Sequence, residues 1–331
     1  MTCQSKIIVM QIAVIGGGSW GTTVASQVSS KVATTLWCRS SEIAEAINTH
    51  HENPCYLPGL PLPEALRATT DIHEAVAEAE IIAVAVPSHA LRGVMQKFAP
   101  HIASEAVLVS LTKGLEQQTH LRMTEVLAET LPSCSLAALS GPSLAKEVMI
   151  GHSTAVVVAS KNLALATDLQ NLFSTQTLQV GVTDDTIGVE LGGGLKNVVA
   201  LAVGIAVGQG SGRNTQAALV TQGFSEITHL GVAMGARAET FTGLAGIGDL
   251  MTTCFSQQSR NLHVGTEIGS GRELSEVAEE SSQIAEGIRT AESAVELGRE
   301  YGTPMPIAEE VWAVLNKRHS PKEAYRKLCQ L

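Results

Sequence analysis

At 331 residues the chain is long enough for two domains, each with a core of its own. Its 44% hydrophobic and 16% charged residues exclude a disordered chain and suit a folded enzyme, while 3% aromatics leaves Val, Leu, Ile and Ala to fill the cores. A formal net charge of −10 disfavours nucleic acid or an anionic membrane surface as partner, so any phosphate site must be built from locally placed lysines and arginines.

Residues 7–15 are apolar enough to imitate a signal peptide, but no small-residue cleavage site follows. Instead the strand-like run Ile12-Ala13-Val14-Ile15 passes straight into Gly16, Gly18 and Gly21, spaced G-x-G-x-x-G, and residues 22–28 can continue as a helix. In that setting Gly16 makes a tight turn, Gly18 lets the backbone touch a pyrophosphate, and Gly21 lets the helix pack closely on the strand. The helix N-terminus then offers N–H groups and a partial positive charge to the phosphates. Ordinary glycine-rich turns share the spacing; the flanking strand and helix are what favour a dinucleotide.

The second strand, 33–38, ends at Arg39-Ser40, and the nearest acid, Glu42, comes later in a helical stretch. An NAD-preferring site places Asp or Glu at this strand end for the ribose 2′-hydroxyl, whereas an arginine suits a 2′-phosphate. Arg39 therefore favours acceptance of NADP(H), with NAD(H) left open and a solvated strand-end arginine as the plainer alternative. The third strand, 81–86, ends in Pro87-Ser88-His89, at the sheet edge where ligands sit in open α/β folds. His89 suits acid–base chemistry or a surface role equally and is given no catalytic part. The fourth strand, 106–111, runs into Lys113 at the same edge. Gly141-Pro142-Ser143, leading to a helix near Ala145, offers a hydroxyl and backbone N–H donors to an anion or carbonyl.

Further strands at 136–140, 153–159 and 178–183 alternate with helical patterns at 20–30, 71–79, 88–98, 119–130 and 162–173. This alternation predicts an α/β fold, a Rossmann-like doubly wound parallel sheet over residues 1–185 that binds the dinucleotide. From Thr186 onward Ala, Gly, Leu and Glu recur at helical periods, which predicts an all-helical domain over 186–331 carrying substrate and catalytic residues. Val198 to Gly208 is an unbroken run of eleven small and apolar residues, short of the about 18 a membrane span needs, and reads as a buried helix.

Three consecutive glycines, Gly192-Gly193-Gly194, weaken a helix by about 1 kcal/mol each, a cost that close approach of backbone or ligand would explain. Lys196 follows in apolar surroundings, where lost solvation and a second cation such as Lys113 would lower its pKa toward proton-transfer range. The alternative is a lysine snorkelling to water from a helix end. Residues 243–253 form another glycine loop closing on Asp249 and ending near Thr253, and Ser259-Arg260-Asn261 sets one arginine among polar residues, as a phosphate requires. Six scattered cysteines without a C-x-x-C pair fit a reducing cytoplasm, and ten histidines without H-E-x-x-H point to no metal.

Taken together these segments resemble the bacterial-type NAD(P)-dependent glycerol-3-phosphate dehydrogenases. The matching pieces are G-G-G-S-W-G at 16–21, Y-L-P-G at 56–59, V-P-S-H at 86–89, L-T-K-G at 111–114 and S-G-P-S at 140–143. G-G-L-K-N at 193–197, G-I-G-D-L at 246–250, S-R-N at 259–261 and A-E-G at 285–287 complete them, in the family's order over about residues 11–320. Only the first nine or ten residues look like an addition, with Met10 as an alternative start.

The resemblance implies reduction of dihydroxyacetone phosphate to sn-glycerol 3-phosphate, a precursor of glycerophospholipids, by a cytoplasmic homodimer, with product feedback inhibition common among relatives. Lys196 matches the family's catalytic lysine at the C2 oxygen, and Lys113 a lysine touching both substrate and cofactor. Gly141, Ser143, Asp249, Ser259, Arg260 and Asn261 match the substrate set, with Asn197 and Thr253 as further contacts. Ser19, Trp20, Arg39, Ala145, Ile284 and Glu286 match cofactor contacts beside Gly16, Gly18 and Gly21, and Arg260 lies near the cofactor as well. The implied chemistry is hydride delivery to the carbonyl carbon, protonation by Lys196, charge stabilisation by Lys113, and alignment by Asp249 and Asn197. Two other readings stay open, since fold alone does not fix function. One is a β-hydroxyacid-type dehydrogenase, which prefers a carboxylate to a phosphate. The other is a nicotinamide-binding sensor, which needs neither lysine.

Overall fold

The computed structural model describes residues 11–280 and 285–330. The chain forms two compact units. The first takes the chain up to Thr112, then Met123–Leu139 and Ser143–Thr186. The second takes Lys113–Arg122, Ser140–Pro142 and the chain from Ile187 onward.

Eight strands build the sheet of the first unit: β1 (Gln11–Ile15), β2 (Ala33–Trp37), β3 (Arg67–Thr69), β4 (Ile81–Val84), β5 (Val107–Ser110), β6 (Ser135–Ser140), β7 (Thr154–Ala159) and β8 (Leu178–Thr183). Their order is β3-β2-β1-β4-β5-β6-β7-β8, and the pairs β1 with β2 and β4, β2 with β3, β4 with β5, β5 with β6, and β7 with β8 are parallel. The strands are Val-, Ile- and Ala-rich because both faces are buried: Ile12, Ala13, Val14, Ile82, Ala83, Val84, Leu108 and Val109 have no exposed surface. Registers of Ile15 with Trp37 and Val84, Val84 with Ser110, and Ser110 with Ala138 bring the carboxyl ends of five strands level. Strand order reverses between β1 and β4, so the glycine loop after Ile15 opens at the switch point, the place where such sheets bind ligands.

The connecting helices are α1 (Ser19–Val28), α2 (Ser41–His50), α3 (Ile72–Val76), α4 (Ser88–Phe98), α5 (Met123–Thr130), α6 (Ala145–Met149) and α7 (Leu163–Phe173). The expected helix 119–130 starts only at Met123, because residues 113–122 leave the sheet unit and fold with the second one. β3 has no counterpart among the patterns read from the sequence, while α2 and α6 fall where a helical stretch around Glu42 and a helix near Ala145 were expected, though without bounds.

No strand occurs in the second unit among the described residues apart from the last residue of β6. Its helices are α8 (Thr186–Gly208), α9 (Arg213–Ala233), α10 (Ala238–Phe241), α11 (Asp249–Phe255), α12 (Arg260–Gly269), α13 (Leu274–Glu280), α14 (Glu286–Glu300), α15 (Pro306–Leu315) and α16 (Pro321–Leu328), with a π-helical turn at Leu244–Gly248 before α11. α8 is the one described helix long and apolar enough to cross a membrane, and 89% of its most apolar window is buried, as expected of a core helix. Its tail lies against α12 backbone to backbone. A Cβ on Gly204 would stand 2.4 Å from Leu262 O, on Gly208 2.3 Å from Thr266 O, on Gly265 2.4 Å from Leu201 O, and on Gly269 2.4 Å from Ile205 O.

α15 begins with Met305 at its N-cap and no side-chain cap of its own. The buried Glu226 of α9 supplies one, its Oε1 accepting from Ile307 N at 2.8 Å. Burial pushes this carboxyl up to about 8, against the two backbone N–H groups that favour its charge. A folded-state pKa above the unfolded one means the native protein holds the extra proton. The associated stability is full below pH 4.5 and is lost as pH rises to about 8. Urea melts should therefore show stability falling by about 1 kcal/mol per pH unit from this group across that window. Glu226→Gln keeps an acceptor for Ile307 N–H and should flatten the slope; equal slopes in both proteins would place the titration elsewhere.

Candidate active site

In the first unit the glycine loop is shaped by what a side chain would strike. Gly16 has φ of +124°, and a Cβ there would stand 2.7 Å from Ala85 O. A Cβ on Gly21 would be 2.0 Å from Gly16 O, while the space beside Gly18 is open within 4 Å. Gly18 N-caps α1 without a side-chain bond, leaving the helix N–H groups directed at that space. Ser19 Oγ donates to Tyr56 O at 3.2 Å, and the Trp20 Nε1 is buried with no partner. Asn53, which sequence reasoning missed, is fully buried beneath the loop and donates to Gly17 O at 3.0 Å and Thr22 Oγ1 at 2.9 Å. Its only sequence mark is its place three residues before the Y-L-P-G segment. Arg39 is exposed just past β2; Ser143 and Ala145, half-buried around the start of α6, belong to this unit too.

The second unit gathers the remaining candidates. Lys113, directly after Thr112 in the chain, donates through Nζ to Gly141 O at 2.7 Å and to Asp249 Oδ2 at 2.8 Å. Lys196 Nζ pairs with the other carboxylate oxygen, Asp249 Oδ1, and donates to Thr253 Oγ1 at 2.6 Å. The π-helical turn delivers Asp249 as the first residue of α11, where a carboxylate also suits the helix dipole. All three ionic groups are withdrawn from water, with side chains 17%, 2% and 8% exposed for Lys113, Asp249 and Lys196. Burial lowers the Lys196 ammonium to about 8, the Asp249 carboxylate opposing and the Lys113 charge assisting.

The glycine triplet is the reason the lysine can stand there. A Cβ on Gly192 would be 2.4 Å from Ala245 O and on Gly193 2.2 Å from Ser140 Oγ, and Gly194 lies over Gly114 at 3.4 Å. α8 thus passes unbroken beneath the loops that carry Asp249, Gly141 and Lys113. Asn197 was expected to steady the lysine or a substrate hydroxyl. Its amide donates to Lys113 O at 3.3 Å and accepts from Asn261 Nδ2 at 3.0 Å, and Asn261 Oδ1 accepts from Gly287 N at 2.9 Å. Ser259 N-caps α12, its Oγ accepting from Leu262 N at 3.2 Å, and Arg260 opens that helix on its exposed side. Glu286 opens α14. Ile284 lies outside the described residues.

Both halves of the chain match known proteins. The profile described as the N-terminus of NAD-dependent glycerol-3-phosphate dehydrogenase matches residues 11–166, and that of its C-terminus matches 185–326. The chain belongs to the glycerol-3-phosphate dehydrogenase family. It is 44% identical over 321 residues to an NAD(P)+ glycerol-3-phosphate dehydrogenase of Sphingopyxis alaskensis, covering 97% of this chain and 96% of that one. The enzyme of that name from Mycobacterium avium is 45% identical, with 96% and 94% covered. The crystal structure of glycerol-3-phosphate dehydrogenase from Coxiella burnetii superposes with a TM-score of 0.93 at 35% identity, over 97% of this chain and 99% of that one.

Within this family architecture the nicotinamide coenzyme fits the first unit. An open space over Gly18, uncapped helix N–H groups and the orphaned Trp20 Nε1 form a cradle for a group bearing phosphates. Gly21→Ala is expected to drive α1 away from β1 and weaken NADPH binding by about tenfold or more, read by fluorescence titration. Wild-type affinity in that variant would show that the loop absorbs the methyl group.

Proposed function

We propose that the chain catalyses the NAD(P)H-dependent, reversible reduction of dihydroxyacetone phosphate to sn-glycerol 3-phosphate, with Lys196 as the proton donor and acceptor at the C2 oxygen. The observation that carries this reading is the buried Asp249 carboxylate shared by two lysine ammonium groups, one of them lowered to about 8. Such a lysine is charged at neutral pH yet able to give up its proton, as a general acid must.

When bound, the coenzyme supplies hydride to the carbonyl carbon. Gly16, Gly18, Ser19, Trp20, Gly21, Arg39 and Ala145 would hold it, and Arg260, Ile284, Glu286 and Lys113 are further coenzyme contacts that the family resemblance implies. As negative charge grows on the substrate oxygen, Lys196 protonates it and Lys113 stabilises it electrostatically. Asp249 fixes both ammonium groups, Thr253 limits the swing of Lys196, and Asn197 with Asn261 holds the Lys113 backbone. Arg260, with Ser259, Asn261 and Gly141, anchors the phosphate and hydroxyls, so that remote binding energy orients the carbonyl, and Ser143 is a further substrate contact that the family resemblance implies. In this reading residues 1–185 serve mainly the dinucleotide and 186–331 mainly the substrate, with Lys113, Gly141 and Ser143 lent to the substrate from the first stretch. The protein works in the cytoplasm as a homodimer without metal, supplying glycerophospholipid synthesis.

The deciding experiment follows oxidation of NADPH and of NADH with dihydroxyacetone phosphate against unphosphorylated dihydroxyacetone. Rapid oxidation with the phosphate ester alone is expected, and the ratio of the two coenzymes reads what Arg39 contributes. NADPH binding without turnover would instead favour a carboxylate substrate or a sensor.

A further inference from the structure

The segment 113–122 is built as a clamp. It leaves the sheet unit after Thr112 and folds back on itself, with Leu115 bridged antiparallel to Arg122, Glu116 N donating to Leu121 O at 2.9 Å, and His120 turning the chain at φ of +57°. Leu115 is 1% exposed in the core of the second unit. At one end stands Lys113 on Asp249. At the other, Arg122 Nη1 meets Glu190 Oε2 at 2.7 Å, with side chains only 10% and 4% exposed. Glu190 lies on α8, the helix that carries Lys196. Between the ends, Gln117 bridges to α14, donating to Glu292 Oε2 at 3.1 Å and accepting from Arg289 Nη1 at 3.4 Å.

We propose that Arg122 and Glu190 are positioning residues for the proton-transfer step. Their buried ion pair holds the 113–122 clamp on α8, and so sets where the Lys113 ammonium stands against Asp249 and Lys196. The inference rests on the reading of Lys113 and Lys196 as the proton-handling pair. A lysine side chain is long and rotamer-rich, so its charged end is placed only if its backbone is fixed. The clamp provides that fixing through Leu115, two residues away and bridged to Arg122 itself. Removing one partner of such a buried pair strands the other charge, so the pair is held together strongly.

The test uses the full chain, measuring kcat, KM and the pH profile of dihydroxyacetone phosphate reduction, with NADPH binding as control. The groups facing Lys196 are Asp249, Thr253 and Cys254 from α11 and Lys113 from the clamp. Releasing Lys113 leaves Asp249 to Lys196 alone and removes a repelling charge. The alkaline limb of the profile should therefore move to higher pH. Arg122→Gln is expected to lower kcat by about ten- to a hundredfold, as misplacement by an ångström does, to shift that limb upward, and to change NADPH affinity far less than kcat. Arg122→Lys should recover most of the loss. Gln117→Ala strands no buried charge and should move the limb in the same direction by less, which keeps the test alive should Arg122→Gln fail to fold. An unmoved limb in Gln117→Ala and in folded Arg122→Gln, with activity tracking only the folded fraction, would overturn the positioning role. Full activity in Lys113→Met would instead overturn the lysine-pair reading on which it rests.

Discussion

Lys196→Ala should reduce dihydroxyacetone phosphate about a thousandfold more slowly than wild type, within the range a lost general acid commands, while binding NADPH normally. The coenzyme loop belongs to the other unit, and Asp249 keeps Lys113 as its partner, so no buried charge is stranded. Lys196→Arg should fare little better, because a guanidinium keeps the charge but does not release its proton near neutrality. The wild-type profile carries the same signature. With the ammonium lowered to about 8, reduction should hold steady at low pH and decline above that value, whereas oxidation of sn-glycerol 3-phosphate should rise through it. Steady-state rates across pH 6–10, with circular dichroism to confirm folding, check both. Near-normal turnover in Lys196→Ala would remove this residue from the chemistry.

Asp249→Asn should be nearly as severe, for a different reason. The carboxylate is the shared counter-charge of two ammonium groups, and the amide that replaces it neutralises neither. Without it, burial and the Lys113 charge both drive the Lys196 pKa below about 8, so the proton donor is discharged at neutral pH. Removing one partner from a buried ionic group also destabilises the fold by about 3–5 kcal/mol. The expected result is a loss of about a hundredfold or more in reduction at pH 7.5, part of it regained at pH 6, with a lower midpoint in urea. A pH profile superposable on wild type would mean that Asp249 does not govern the charge of Lys196.

Much of this arrangement is legible in the sequence because it is written in local contrasts. The seven longer strands stand out as apolar runs bounded by turns, whereas β3 spans only Arg67–Thr69, too short to carry a pattern. α2 is a mostly polar helix, set by the Ser40 cap and a left-handed His51 rather than by a broad apolar face, and α6 is a single turn of five residues. Lys113, Lys196 and Asp249 announce themselves as lone charges in small and apolar surroundings. Partnership is what the sequence conceals. Asn53 meets its loop across 36 residues and Arg122 meets Glu190 across 68, and nothing near either residue marks the other. The crossing of residues 113–122 and 140–142 into the second unit is equally silent, because it depends on helices that come much later in the chain.

The seam between α8 and α12 bears on how this protein can change over generations. Most core contacts tolerate drift, because a gain of volume on one side can be matched by a loss on the other. At Gly204, Gly208, Gly265 and Gly269 the opposing surface is peptide backbone. Every residue carries a backbone carbonyl, so no substitution at the facing position makes room for a Cβ. Compensation is closed off at these four sites. Their sequence is held by geometry alone, on the two helices that carry Lys196 and Arg260, whatever happens to the side chains around them.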